Sequence, residues 1–131
     1  MSSEVNLGIL NSLLSPGATI TTPDADFPST YANWTDYNLK IPLAVVKPAI
    51  ENDVLVTINF ARDNSLRVSA RGGGHSPFNT VEGGIVIDFE GTYAAVTYDE
   101  DSKTITVQCG AKNGDVLAVL AENDRCASMP P

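Results

Sequence analysis

The run Ala70-Arg71-Gly72-Gly73-Gly74-His75-Ser76 gathers the residues of this 131-residue chain best suited to chemistry. Three consecutive glycines leave the main chain bare, so it approaches a ligand closely and reaches positive φ at little steric cost. Successive N–H groups in such a turn form an anion-binding nest, which suits a pyrophosphate. Arg71 offers a fork of donors to the same anion. His75, the single histidine of the chain, stands directly after the turn. Each residue also has a plainer reading. Glycines make ordinary turns, a lone histidine is usually a hydrogen-bonded loop residue, and Ser76 either donates to a phosphate or caps the next turn. Asp88 reads as the anchor of a turn at a strand end. With one histidine and no nucleophile–base pair, the residues argue against hydrolysis by a triad.

The flanking elements decide which reading gains weight. Ala44-Val45-Val46 reads as a short buried strand closed by Pro48. Glu51 to Arg62 predicts a helix with Val54, Leu55, Ile58 and Ala61 on one face, ended by Asp63-Asn64. A strand over 66–70 then delivers its C-terminal end into the glycines. This is a β-α-β unit, and ligands bind at such strand ends in open α/β sheets. No helix opens from the glycines, so the pattern differs from the dinucleotide-binding G-x-G-x-x-G. A loop over 76–84 leads to a strand over 85–89.

Residues 93–98 and 104–109 read as a hairpin around Asp99-Glu100-Asp101-Ser102-Lys103. Its acidic tip reads as solvated, without the spacing of a metal site. Cys109 reads as a small buried hydrophobe. Lys112 to Asn123 predicts a helix with Val116, Leu117, Leu120 and Ala121 apolar, while Asp115 and Glu122 face solvent. Upstream, Val5, Leu7, Ile9, Leu10, Leu13 and Leu14 predict a short helix ended by Ser15-Pro16-Gly17. Ala18 to Ser29 reads as loop. Tyr31, Trp34 and Tyr37, spaced by three, read as a face packed on or over the core. The last residues, 127–131, read as a strand entry or a cut end.

Composition narrows the class further. A hydrophobic share of 43% with 18% charged residues describes one globular domain. The net charge of −8 argues against nucleic acid or an anionic membrane as partner. There is no apolar run long enough to span a bilayer. The N-terminus lacks a basic segment followed by an apolar core, which reads as cytoplasmic. Cys109 and Cys126 lack metal-ligand spacing, and nothing in the sequence supports a disulfide between them.

These segments together resemble the N-terminal part of FAD-linked oxidases with a vanillyl-alcohol-oxidase (PCMH)-type FAD domain, in the berberine-bridge-enzyme-like branch. The resemblance runs from Pro42-Leu43-Ala44-Val45-Val46-Lys47-Pro48 through Asp53-Val54, Phe60-Ala61-Arg62 and Arg71-Gly72-Gly73-Gly74-His75-Ser76. It continues through Gly84-Ile85-Val86-Ile87-Asp88-Phe89 to Val107-Gln108-Cys109-Gly110-Ala111. It implies an α+β fold: small mixed α/β FAD-binding subdomains with a βαβ unit and a hairpin, truncated. It divides the chain into an N-terminal helix and loop (1–30) and a partial FAD-binding domain (31–131).

The resemblance also implies FAD as cofactor. Arg71, Gly72, Gly73, Gly74, His75 and Ser76 would cradle the pyrophosphate, and Gly110 and Ala111 would pass close to it. His75 matches the histidine often bonded to the flavin 8α-methyl group. Family members are several times longer, with a second FAD segment and a substrate domain, and Cys126 lies too early to be a second flavin anchor. No catalytic residue is therefore assigned.

Two functions follow as expectations. One is the FAD-binding portion of an oxidase of an alcohol, sugar or alkaloid-like molecule. The other is a flavin-free short relative acting as a non-redox cyclase, isomerase or small-molecule-binding protein in secondary metabolism. A sheet cut from a larger domain exposes its edges, so a homodimer or a full-length relative is the expected macromolecular partner.

Overall fold

A computed structural model describes residues 4–23, 35 and 37–128. A four-stranded sheet is built from β1 (Thr19–Thr21), β2 (Ala44–Lys47), β3 (Val68–Arg71) and β4 (Ile85–Asp88), in the order β1-β2-β4-β3. β1 runs antiparallel to β2, whereas β4 pairs in parallel with both β2 and β3. All four residues of β4 are buried, as expected of a strand between parallel neighbours: three are apolar and the fourth is Asp88. Helix α1 (Leu7–Leu13) and helix α2 (Glu51–Asp63) lie on one face of this sheet. There Leu10, Phe60 and Ala61 close over Val46 and Ile85. The other face is covered by a smaller cluster of Val45, Val81 and Val86 with Leu39. Beyond the sheet, β5 (Val96–Asp99) and β6 (Thr104–Val107) form the hairpin, against which α3 (Asn113–Glu122) packs.

The β-α-β unit, the hairpin and the three helices stand where the sequence predicts them, with boundaries shifted by a few residues. Four readings need correction. Thr19–Thr21 is not loop: β-branched Thr-Ile-Thr pairs with β2, and Ile20 packs on the core. In α2 the inward face carries Asp53, Thr57, Phe60 and Ala61, while Leu55 and Ile58 are exposed. Cys109 is also exposed, because β6 ends at Val107 and the chain turns there toward the glycine run. Cys126 is a second exposed free thiol. Tyr37 is 77% exposed, so it does not pack on the core. Tyr31, Trp34 and 129–131 lie outside the described residues. Among the described residues no helix is long and apolar enough to cross a membrane.

Asp53 accounts for the shape of α2's inner face. Its Oδ1 accepts from the Ser15 N–H at 2.7 Å. Its Oδ2 accepts from Ser15 Oγ at 2.8 Å, the Ala49 N–H at 2.9 Å and the Ile50 N–H at 3.0 Å. One buried carboxylate thus clasps the segment after α1 to the start of α2. Burial alone would raise its pKa, but the hydrogen bonds from Ser15, Ile50 and Ala49 outweigh burial and hold it below the ordinary value.

Asp53→Ala leaves these donors without their acceptor and should cost at least about 2 kcal/mol in denaturant unfolding at neutral pH. Because the native pKa is depressed, this stabilisation is complete above the unfolded value of 3.8 and fades as pH falls through the lower native value. The stabilities of wild type and variant should therefore converge in acid.

Candidate functional site

Each of the three parallel strands ends in a charged residue on one sheet face: Lys47 on β2, Arg71 on β3 and Asp88 on β4. Alternation along a strand places them on the side of Val45, Ser69 and Val86. The register sets Arg71 opposite Asp88. Both side chains are buried, and Arg71 Nη1 donates to Asp88 Oδ1 at 3.1 Å and Oδ2 at 3.2 Å. The same Nη1 reaches Glu90 Oε2 at 2.5 Å. The other oxygen of Glu90 meets Lys112 Nζ at 2.9 Å, where α3 begins. Lys47 Nζ completes the group, 3.7 Å from Asp88 Oδ2.

Two of these groups titrate away from their ordinary values. Hydrogen bonds from Lys112 and Arg71 pull the Glu90 carboxyl down. Glu90 in turn raises the Lys112 ammonium, mainly by the same hydrogen bond. Lys47, Arg71 and Lys112 face Asp88 and Glu90, with Asp115 a third carboxylate beside Lys112, so cations and acids balance at the strand ends of a chain of net charge −8.

The glycine turn leaves β3 from this base. The Arg71 carbonyl accepts from the Phe89 N–H at 2.8 Å, holding the start of the turn to the end of β4. A Cβ on Gly72 would lie 2.7 Å from the Cys109 carbonyl oxygen, so the 109–111 segment runs against the turn. Gly74 has φ 72°, a value that glycine adopts without strain. Gly73 is different: a Cβ there would meet nothing within 4 Å. His75 and Ser76 follow on the exposed surface. The Ser76 hydroxyl accepts from the Phe78 N–H at 3.1 Å and caps the 3-10 turn Pro77–Asn79, which is the capping alternative read in the sequence. At Gly110 a Cβ would strike the carbonyls of Phe89 and Tyr93, so this glycine is required by backbone packing. Ala111 donates its N–H to the Gln108 carbonyl at 3.0 Å.

Residues 71–76 and 110–111 therefore meet in one region, brought together by the ends of β3 and β4 and the chain after β6. The Arg71 fork is turned into the sheet, toward Asp88 and Glu90. Lys47, Glu90 and Lys112 were not singled out from the sequence as site residues. A signal existed for Lys47, which stands directly after the predicted strand Ala44-Val45-Val46 as Arg71 stands directly after the predicted strand over 66–70. None existed for Glu90 and Lys112, which meet through the fold. A groove of about 560 Å³ between α1 and α2 is lined by Ile9, Leu13, Val56 and Phe60, and no residue of the glycine turn lines it.

A glycine turn at the C-terminal ends of parallel strands is the place where open α/β sheets generally take up anions and nucleotides. The comparisons with known proteins agree. Residues 42–131 match the FAD binding domain family, and the chain belongs to that family. FAD is the cofactor of that family, and the residues of the glycine turn fit such a group: a Cβ at Gly73 would meet nothing within 4 Å and the turn carries no side chain over 72–74.

An FAD-linked oxidoreductase of Aspergillus fumigatus, hasG, is 38% identical over 117 residues, covering 88% of this chain and 25% of that protein. The solved 6-hydroxy-D-nicotine oxidase of Arthrobacter nicotinovorans superposes with TM-score 0.73 at 26% identity, over 82% of this chain and 24% of that one. BBE-like 1 of Physcomitrella patens shares the fold, with TM-score 0.73 at 24% identity over 88% of this chain and 25% of that one. The chain thus spans about a quarter of the length of the relatives it matches.

Gly72→Val should lower the melting temperature by several degrees, because the Cys109 carbonyl must move, whereas Gly73→Val should leave it unchanged. Thermal unfolding followed by circular dichroism compares the two directly.

Proposed function

We propose that this chain is the FAD-binding portion of a flavin-dependent oxidoreductase whose substrate is a small alcohol, sugar or alkaloid-like molecule. The observation that carries this reading is the glycine turn over 72–74, set at the ends of parallel strands with open space at Gly73, inside the region matched by the family. In this reading the N–H groups of Gly72, Gly73 and Gly74 hold the pyrophosphate, with Ser76 and His75 at the rim and Gly110 and Ala111 alongside. Arg71 acts from beneath, bracing the end of β3 against Asp88. When bound, the flavin supplies the redox chemistry, while the protein orients it and sets its electrostatics. His75 is the proposed point of linkage to the flavin 8α-methyl group. The substrate class draws on relatives named as FAD-linked and 6-hydroxynicotine oxidoreductases. The flavin-free alternative has no comparable observation in its favour.

The test is the visible spectrum of the purified protein, before and after FAD is added and again after denaturation. A flavin band should appear on the folded protein, and in wild type it should survive denaturation. His75→Ala should bind FAD yet release it on unfolding. Gly73→Val should weaken FAD binding by about tenfold or more, a loss of roughly 1.4 kcal/mol, with its fold intact. A colourless protein that ignores added FAD would overturn the reading.

The same proposal includes self-association or pairing with a full-length relative. β3 is a sheet edge, with Val68 39% exposed and Phe78 beside it 83% exposed. Sedimentation equilibrium should give twice the monomer mass, and a strictly monomeric chain at high concentration would exclude the homodimer.

A further inference from the structure

Glu90 is an acidic residue next to a site for a polyanion, which simple electrostatics disfavours. Its geometry offers a reason. Its two carboxylate oxygens divide between two separate chain segments: Oε2 lies 2.5 Å from Arg71 Nη1, and Oε1 lies 2.9 Å from Lys112 Nζ. Its backbone is fixed independently, since its N–H donates to Asp88 Oδ1 at 3.0 Å and its carbonyl accepts from Lys47 Nζ at 3.5 Å. Arg71 begins the glycine turn. Lys112 ends the segment whose Cys109 carbonyl sits under Gly72 and whose Gly110 is wedged against Phe89 and Tyr93. The carboxylate therefore joins both walls of the region through charge-assisted bonds, the stronger kind of hydrogen bond. It is also only partly exposed, its side chain 29% accessible.

We propose that Glu90 is a positioning residue: it holds Arg71 and Lys112 on either side of its carboxylate, so that the Gly72–Gly74 backbone and the 109–112 segment keep one fixed separation. Its effect on FAD rests on the proposed function. Its effect on the turn does not.

The experiment compares the full chain with Glu90→Gln, Lys112→Met and the double variant. Amide hydrogen exchange at the turn is read at the bonded N–H groups that hold its two walls, Phe89 (to the Arg71 carbonyl) and Gly110 (to the Tyr93 carbonyl), against Val86 and Ile87 of β4, and FAD affinity by fluorescence titration. Glu90→Gln should exchange about tenfold faster at Phe89 and Gly110 while Val86 and Ile87 stay protected, a local rather than global opening. FAD should bind about tenfold more weakly even though a negative charge has been removed. Lys112→Met should reproduce both effects, and the double variant should add little, as expected of residues acting through one contact.

Tighter FAD binding by Glu90→Gln would mean that its charge outweighs its geometry and would overturn the proposal. So would unchanged exchange at the turn, or loss of protection across β4 as well. If wild type binds no FAD, the functional reading falls while exchange at the turn still decides the role of Glu90.

Discussion

Burying the Arg71 guanidinium against Asp88 is the interaction on which the glycine turn and the three strand ends depend. A guanidinium cannot shed its proton, so once inside the fold it must keep a carboxylate beside it. Removing one partner of such a pair typically costs about 3–5 kcal/mol, because the survivor stays buried and unpaired. The pair also has directional value. It ties the last residue of β3 to the last residue of β4, so the backbone leaves both strands at a fixed height. Lys47 and Glu90 then extend the pair to β2 and to the start of α3.

The arrangement explains how an acidic chain accommodates an anionic cofactor. Charges at the hairpin tip, where Asp99, Glu100 and Asp101 lie, are solvated and screened within about 8–10 Å. In the proposed reading a pyrophosphate would meet a local surface: the N–H groups of the glycine turn over a base in which cations and acids balance. The cations work at different depths. Arg71 is fully enclosed, whereas Lys47 and Lys112 keep about half of their side chains in solvent. The enclosed charge shapes the turn, and the two outer ones are held at its margin by Glu90 and Asp88.

Much of this was legible in the sequence where periodicity and punctuation agree. Ala44–Val46 and Ile85–Ile87 are unbroken apolar runs and became the parallel centre of the sheet. Asp99–Lys103 reads as a turn between alternating segments and became the hairpin tip. The glycine run stood out as a candidate site because Arg71, His75 and Ser76 adjoin it. The failures have a common cause, which is that partners arrive from far along the chain. Thr19–Thr21 is a strand only because β2 offers an edge 26 residues on, with Thr19 opposite Lys47 and Thr21 opposite Val45. Leu55 and Ile58 looked inward because they are apolar. The inner face of α2 was instead chosen by Asp53, whose acceptors match donors at Ser15 and Ala49. Cys109 follows a strand pattern, but the register ends at Val107.

The clasp at Asp53 has a consequence for how the protein leaves solution. Sixteen carboxylates outnumber eight Lys and Arg, so the net charge vanishes within the range where ordinary Asp and Glu side chains titrate. Colloidal repulsion between molecules is lost there. Asp53 is held below the ordinary Asp value, so it is still ionised when that happens and α1 still covers Val46 and Ile85. Molecules brought together at the isoelectric point thus meet through their hydrophilic exteriors, with the apolar interior closed. Such a precipitate redissolves on return to neutral pH, because the clasp has stayed shut throughout.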